Sequence, residues 1–254
     1  MGFIEIERKH SFAHVVLNRP DKKNAFNKAM IQELTQAFQS LNTEPAIKVI
    51  IIKGAGDTFC SGADLEWMQS QIANSFEQNL RESEELFEMF YTIKNCNKPV
   101  ISYVHKYVMG GALGLVAASD YCFAEENTKF CFSETTMGLA PSVISSFILS
   151  KCNLGLSTPL MLFAEFFDAH KAKEIGLVHH VAKPDELLEL FNKFLKHLEK
   201  LDLDAVFATK KILRAQQQMN EVDFKTQTTE LISNLRVGES AQERLRSFLD
   251  KDKT

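Results

Sequence analysis

The sequence lacks the features that mark several large classes of protein. Its five cysteines show no CxxC spacing, and no histidine is arranged with them for a metal site. No apolar run approaches the roughly 20 residues that a membrane-spanning helix needs. The net charge of −4 argues against an extended nucleic-acid surface. We therefore expect no metal, no nucleic-acid partner and no membrane partner.

The glycines do not form a nucleotide-binding or hydrolase motif either. Gly110, Gly111 and Gly114 lack the first spacer of GxGxxG, and no acidic residue ends a second strand at the distance that fold requires. The chain has no Walker lysine and no GxSxG nucleophile elbow. A serine or cysteine hydrolase stays open as an outside alternative, although no histidine lies near Ser142 and its neighbouring serines in the sequence.

What is present is ordinary for a globular protein. Hydrophobic residues make up 45% of the 254 residues and charged residues 24%. This length allows one large domain, or one domain with an appendage. The first residues alternate like a strand and show no secretory or transit features. Unpaired cysteines are typical of a reducing compartment, so we expect a cytoplasmic protein.

Apolar runs, glycine loops and amphipathic segments alternate up to Pro184. The β-branched runs Val49–Ile52 and Val100–Val104 are typical of strands covered on both faces. Each is followed by a glycine-containing loop and then by a helical pattern, which predicts α/β layers. After Pro184 every pattern is helical, and the predicted helices cover residues 187–201, 205–218, 224–235 and 241–249.

Two of the glycine loops end where a helix begins. The loop Gly54–Asp64 leads into a helix that Asp64 is placed to cap, and Gly110 with Gly111 opens the helical run Ala112–Ser119. Main-chain N–H groups at such a turn can hold a developing negative charge, because glycines allow close approach. A tight turn beneath a closely packed helix explains the same pattern, and the residues alone leave both interpretations open.

Several short motifs follow one another along nearly the whole chain: NRPDKKNA at 18–25, FCSGADL at 59–65, PVI at 99–101 with the glycines at 110–111, AKEIGLV at 172–178 and QERLRSFL at 242–249. Together they resemble the enoyl-CoA hydratase/isomerase (crotonase) family. The resemblance implies an α/β crotonase (ClpP-like) spiral of ββα units over residues 1–195 and a C-terminal α-helical trimerisation region over residues 196–254. It also implies an acyl-CoA substrate, no cofactor apart from the coenzyme A of that substrate, and a homotrimer or dimer of trimers.

The same resemblance suggests the catalytic groups. The backbone N–H groups of Ala63 and Gly111 would form an oxyanion hole for the thioester carbonyl, and Glu134 would be the acid/base. The physical argument agrees for the amides, because each lies where a glycine loop enters a helix and the helix dipole adds to the donor. Asp64 is better explained as the cap that holds the Ala63 amide than as a catalyst.

The remaining expected contacts with substrate come from the same motifs. Lys22 and Lys23 are expected to meet the phosphates of coenzyme A, although a solvated loop explains each lysine equally well. Trp67 and Met68 are either core residues or a wall of the acyl pocket. The other expected contacts are Ala25, Ser61, Asp64, Leu65, Gly110, Gly114, Pro141 and Ser142.

One position departs from the family pattern. Hydratases of the family commonly carry a glutamate three residues after the second oxyanion glycine, and this chain has Gly114 there. One glutamate, Glu134, can still hydrate a 2-enoyl-CoA, and it can instead move a proton between C2 and C4, as an isomerase does. A third interpretation is an acyl-CoA-binding homologue that has lost the chemistry.

Hydration is favoured because longer motifs look like those of one subgroup. FCSGADLEWM at 59–68, GGALG at 110–114 and FSETTMGLAPSVIS at 132–145 resemble bacterial 3-methylglutaconyl-CoA and isohexenylglutaconyl-CoA hydratases. A glycine at the position of the first glutamate is familiar in that group. We expect the small Gly114 to leave room for a substrate that carries its own carboxylate.

Overall fold

The computed structural model describes residues 2–216 and 219–251. The chain divides into two compact units, Met1–Lys193 and Phe194–Thr254. The boundary predicted between residues 195 and 196 lies close to this division, within the same helix. The proposed role of the second unit in forming a trimer stays a prediction.

Strands are found only in the first unit within the described ranges: β1 (Ile4–Lys9), β2 (Phe12–Leu17), β3 (Val49–Gly54), β4 (Val100–Val104), β5 (Tyr107–Met109), β6 (Tyr121–Glu125), β7 (Lys129–Cys131), β8 (Phe167–Asp168) and β9 (His180–Ala182). Its helices are α1 (Lys28–Thr43), α2 (Leu65–Gln71), α3 (Phe76–Asn95), α4 (Gly111–Ala118), α5 (Ser142–Leu149), α6 (Leu154–Phe163) and α7 (Ala169–Glu174). Short 3-10 helices cover Pro20–Lys22 and Glu134–Met137. The helix α8 (Pro184–Leu198) is followed by α9 (Leu203–Ala215), α10 (Glu221–Val237) and α11 (Glu239–Lys251).

A six-stranded sheet forms the first layer, in the order β1-β2-β3-β4-β6-β9. The strands β1 and β2 are antiparallel, and every other neighbouring pair is parallel. The central strand β3 begins with four buried residues, Val-Ile-Ile-Ile, because a strand covered on both faces needs apolar side chains throughout. The central strand predicted at Val49–Ile52 is confirmed.

Short strands form a second layer. The strands β5, β7 and β8 pair in this order, and single bridges extend the layer by joining Cys60 to Val108 and Phe26 to Ala63. Along the chain, a strand of the first sheet, a segment of the second layer and a helix recur, as in β4, β5 and α4. This confirms the expected α/β spiral of ββα units. Because each turn is hydrogen-bonded to the turn before it, the segments that enter successive helices lie side by side.

Some elements differ from the sequence patterns. The strand β5 has three residues, too few for an alternation to be recognised. The helix α6 contains Pro159, and proline usually ends a helix, so the sequence does not predict it. The helices α9 and α10 begin earlier than predicted because Asp202 and Asn220 cap them. Residues 217 and 218 of the predicted helix 205–218 lie outside the described residues.

One carboxylate contacts both α9 and α11 in the second unit. Asp202 caps α9 by accepting a 2.9 Å hydrogen bond from the Ala205 amide. The hydroxyl of Ser240 donates to the same carboxylate, and Arg244 Nε lies 3.4 Å from it. The hydrogen bond from Ser240 and the other donors lower the pKa of the Asp202 carboxyl. The charged form of Asp202 therefore joins the start of α9 to α11.

A buried asparagine joins two loops of the first unit. Asn24 is 0% exposed. Its side chain accepts a 2.8 Å hydrogen bond from the Arg19 amide and donates to the carbonyl oxygens of Ala55 and Thr58, at 2.8 and 2.7 Å. Its φ of +54° lies in the left-handed region, which asparagine tolerates better than most residues. The loop that precedes α1 is therefore fixed to the loop that follows β3.

We expect Asn24→Ala to lower the free energy of unfolding by about 2–4 kcal/mol, because buried polar groups lose their partners and alanine is strained at positive φ. Urea unfolding measures this change. The matched control is Asn79→Ala, at an exposed position of α3, which should change stability by less than about 0.5 kcal/mol. Equal losses for the two variants would show that the Asn24 hydrogen bonds do not stabilise the fold.

Candidate active site

A cavity of about 470 Å³ lies in the first unit, beside the starts of α2, α4 and α5. Several of the residues predicted from the sequence line it: Ser61, Ala63, Leu65, Gly110, Gly111, Glu134, Pro141 and Ser142. They come from separate turns of the spiral, so the fold brings them together. Among the described residues that line the cavity, Glu134 is the only one with a titratable side chain.

Two residues that line this cavity have main-chain N–H groups without an acceptor in the described part of the chain. Phe26 N donates to Gly62 O and Asp64 N donates to Phe26 O, both at 2.7 Å, so the Ala63 amide between them points to the other side of its strand. Gly111 is the first residue of α4, where an amide has no intrahelical partner. No hydrogen bond between described residues uses either nitrogen.

Close contact between two loops puts these amides in one cavity. Cys60 N donates to Tyr107 O, and Met109 N donates to Cys60 O, both at 3.1 Å. At Gly62, φ is +92° and a Cβ atom would lie 2.9 Å from the Met109 carbonyl oxygen. Glycine is needed at this position because a side chain would push the two loops apart.

Asp64 holds this arrangement from outside the cavity. Its carboxylate accepts hydrogen bonds from the Glu66 and Trp67 amides at 2.8 and 3.1 Å, which confirms the predicted cap of α2. Arg19 Nη2 lies 2.8 Å from the same carboxylate. Burial raises the pKa of Asp64, but the Trp67 amide and Arg19 outweigh burial, and the pKa is lowered. The contact of Asp64 with substrate stays a prediction, although its carboxylate oxygens are occupied by these donors and it is not among the described residues that line the cavity.

The loop at Lys22–Ala25 also lies outside the cavity lining. Lys22 and Lys23 are exposed, and the Lys22 ammonium forms a 2.7 Å ion pair with Glu66. Their contacts with the phosphates of coenzyme A stay predictions. Ala25 is buried within its own loop, where its carbonyl oxygen accepts a 2.7 Å hydrogen bond from Arg19. The contact of Ala25 with substrate likewise stays a prediction.

Glu134 provides an unpaired carboxyl group. It begins the short helix Glu134–Met137, and its Oε2 atom is buried without a hydrogen-bond partner among the described residues. Burial raises the pKa of this carboxyl above its usual value. A Cβ atom on Gly110 would lie 3.5 Å from Glu134 Oε1. The carboxyl group therefore lies beside the turn that begins α4, where the Gly111 amide is unpaired.

Gly114 does not line the cavity. A Cβ atom at this position would lie 2.7 Å from Ile144 Cγ2 and 2.7 Å from Phe90 Cζ. These side chains already fill the space beside the glycine. The prediction that Gly114 contacts substrate and leaves room for its carboxylate is therefore wrong. The glycine instead allows α4 to pack closely against α3 and α5.

Apolar residues complete the cavity. Trp67 and Met68 line it, which favours the acyl-pocket interpretation that the sequence left open. Apolar lining residues that sequence reasoning missed include Phe26, Leu86, Met137, Leu139 and Ile144. Leu86 and Ile144 lie in helical patterns that are typical of ordinary core residues, whereas Met137 and Leu139 lie between β7 and α5 in a segment whose sequence pattern is irregular, so no local feature of the sequence marks either group as a cavity wall.

The histidines His105 and His179 are not among the described residues that line the cavity. His105 Nε2 is 3.1 Å from Gly56 O, and His179 Nδ1 accepts a 3.1 Å hydrogen bond from the Cys122 amide. No histidine is among the described residues that line the cavity, so Ser142 has no histidine there to activate it and the hydrolase alternative loses its support. Within the described ranges, no group of three or more His, Cys, Asp or Glu could hold a metal ion. No helix in the part of the chain described is long and apolar enough to cross a membrane.

The fold and this cavity define an enzyme of the crotonase type. The sequence profile of the enoyl-CoA hydratase/isomerase family matches residues 7–254. The chain belongs to this family, and hydratase or isomerase activity follows.

Individual proteins that resemble this chain have names that are consistent with this family. The crystal structure of an enoyl-CoA hydratase from Shewanella pealeana superposes with a TM-score of 0.91 at 33% identity, covering 98% of this chain and 94% of that one. A crotonyl-CoA hydratase from Syntrophomonas wolfei is 32% identical over 73% of this chain and 71% of its own length. A trans-2-decenoyl-[acyl-carrier-protein] isomerase from Streptococcus mutans is 25% identical over 94% of this chain and 92% of its own length. The narrower resemblance to 3-methylglutaconyl-CoA hydratases stays a prediction.

We expect Glu134→Gln to stabilise the fold by about 1 kcal/mol at pH 7.5, because it removes a charge whose Oε2 atom is buried without a partner among the described residues. The raised pKa of Glu134 means that the wild type is most stable while this carboxyl is protonated, and loses stability as pH rises through the folded-state pKa. The gain from the substitution should therefore shrink at pH 4.5. Urea unfolding of both proteins at the two pH values measures it.

The control is Glu165→Gln, which changes an exposed glutamate and should alter stability by less than about 0.5 kcal/mol at either pH. A Glu134→Gln protein less stable than wild type at pH 7.5 would mean that the Glu134 carboxylate has a stabilising partner.

Proposed function

We propose that this chain adds water across the 2,3 double bond of an enoyl-CoA thioester. The observation that carries the proposal is the buried Glu134 Oε2 atom, which has no partner among the described residues. Ala63 and Gly111, whose amides are also unpaired among those residues, line the same cavity. Such a combination supplies donors for a developing oxyanion and one group that transfers a proton.

The amides would act on the thioester oxygen. When a nucleophile adds to C3, the electron pair of the double bond moves toward C1 and charge grows on this oxygen. The Ala63 and Gly111 N–H groups would donate to it, and the positive end of α4 would add to the Gly111 donor. The loss of one such donor typically lowers the rate about 10²–10³-fold.

Glu134 would move the proton. Its carboxylate takes a proton from water as the hydroxyl group bonds to C3, which leaves an enolate on the thioester. The same carboxyl then returns that proton to C2, so one molecule of water is added in all. Burial raises the pKa of Glu134, which makes the carboxylate a stronger base than an exposed glutamate.

Isomerisation is the second candidate. Among the described lining residues there is no second carboxyl group beside Glu134, and one base is sufficient to move a proton between C2 and C4 of an enoyl-CoA. The similarity to the decenoyl isomerase from Streptococcus mutans also favours it. A third candidate is an acyl-CoA-binding protein without turnover.

Solvent labelling distinguishes these candidates. We expect crotonyl-CoA in H₂¹⁸O to yield 3-hydroxyacyl-CoA that carries the label, because hydration bonds a solvent oxygen to C3. Glu134→Gln should lower kcat about 10²–10⁴-fold and leave the Kd for butyryl-CoA unchanged, while Glu165→Gln should match wild type. Mass spectrometry of the product and calorimetric titration measure these effects.

Conversion of 3-hexenoyl-CoA to 2-hexenoyl-CoA without label in any product would establish the isomerase instead. Binding of butyryl-CoA with no turnover of any enoyl-CoA would establish the binding protein.

The proposal also concerns the chemical nature of the acyl group that the substrate carries. The subgroup motifs favour a branched, carboxylated substrate such as 3-methylglutaconyl-CoA. The described residues that line the cavity include no Lys, Arg or His. They include four serines whose hydroxyl groups can donate hydrogen bonds to a carboxylate: Ser61, Ser83, Ser133 and Ser142.

We expect kcat/KM for 3-methylglutaconyl-CoA to exceed that for crotonyl-CoA about tenfold, the contribution of one neutral hydrogen bond to a charged group. Loss of absorbance of the conjugated thioester measures both substrates. Equal values for the two would remove the carboxylated substrate from the proposal.

Assembly and location also stay proposals. Self-association as a homotrimer or dimer of trimers is supported by exposed apolar side chains on the C-terminal helices, such as Val222, Val237 and Phe248. A cytoplasmic location is supported by the five cysteines, which are all free and buried.

A further inference from the structure

One wall of the cavity has little packing to hold it. Leu65, Trp67, Met68 and Gln71 of α2 line the cavity, yet no residue of this helix is buried. The Asp64 cap holds the start of the helix, while Ile72 directly after its end is 85% exposed. Trp67 is partly buried and packs against the hydrophobic core, so the position of the inner face of α2 depends on this packing and on polar contacts.

Glu82 on α3 makes these contacts. Its Oε2 atom accepts a 3.2 Å hydrogen bond from Trp67 Nε1 and a 2.8 Å hydrogen bond from Gln71 Nε2. Lys28 lies 3.8 Å from Oε1, and the Glu82 side chain is 15% exposed. Trp67 and Gln71 are four residues apart, so they lie on one face of α2. One carboxylate oxygen thus holds two side chains of the cavity wall.

We propose that Glu82 is a positioning residue that sets acyl-chain selectivity by fixing Trp67 and Gln71 in the cavity wall. The inference rests on the proposed function, because the acyl chain is the part of the substrate that an apolar wall contacts. Glu82 itself does not line the cavity, so it acts through the indole ring and the amide. Without this acceptor the wall opens, and longer acyl chains gain access.

Three variants test the proposal. Glu82→Met removes the acceptor and keeps the length of the side chain, whereas Glu82→Gln keeps an acceptor and should behave like wild type. Glu85→Met is the matched control. Glu85 lies on the same helix, is also 3.8 Å from Lys28 and accepts from Gln32 instead of from α2.

The first measurement is fluorescence, because Trp67 is the only tryptophan of the chain. We expect Glu82→Met to shift the emission to longer wavelength and to increase quenching by acrylamide about twofold, since an indole ring that is no longer held by Glu82 becomes more exposed to water. The second measurement is the ratio of kcat/KM for 2-decenoyl-CoA to that for crotonyl-CoA. This ratio should rise about tenfold in Glu82→Met and stay unchanged in Glu82→Gln and Glu85→Met.

Unchanged Trp67 emission in Glu82→Met overturns the proposal, and so does a shifted emission with an unchanged ratio. A general loss of kcat on both substrates would also overturn it, since that pattern indicates a structural role. If wild type turns over no enoyl-CoA, the proposed function fails instead. Fluorescence titration of Trp67 with decanoyl-CoA and butyryl-CoA then measures selectivity as a ratio of Kd values, and the same comparison of variants decides the role of Glu82.

Discussion

The hydrogen bonds that join Cys60 to the strand at Tyr107–Met109 determine where the groups of the cavity lie. They bind one turn of the spiral to the next and bring the loop before α2 against the turn before α4. Gly62 allows this approach, because a Cβ atom there would meet the Met109 carbonyl at 2.9 Å. Ala63 and Gly111, whose amides are unpaired for different local reasons, therefore line the same cavity.

Asp64 and Glu134 differ in the hydrogen-bond partners of their carboxyl groups, and the two pKa values shift in opposite directions. Asp64 accepts hydrogen bonds from two amides and from Arg19, so its charge is stabilised and its pKa is lowered. Glu134 has a buried oxygen with no partner among the described residues, and burial raises its pKa. A buried acid without partners costs stability, and such groups are retained where their chemistry is needed.

The glycines of α4 have different physical roles. Gly110 has a φ of +50° and lies beside the Glu134 carboxyl, so its conformation and its small size both matter for the cavity. Gly114 is enclosed by Ile144 and Phe90, so it determines how closely α4 packs. The space beside position 114 is therefore filled and apolar, and Glu134 is the one carboxyl group among the described residues that line the cavity.

Local patterns alone determined the strands β3 and β4, the cap at Asp64 and the glycine turns, because these depend on neighbours in the chain. The short motifs, taken in their order along the chain, also indicated the family and its spiral of ββα units. Tertiary structure decided which of these residues share a cavity. Ala25, Asp64 and Gly114 lie outside it, whereas Phe26, Leu86 and Ile144 line it. The reason is that a cavity wall has the same local pattern as a core, and only the packing of distant helices shows which side of a residue is left empty.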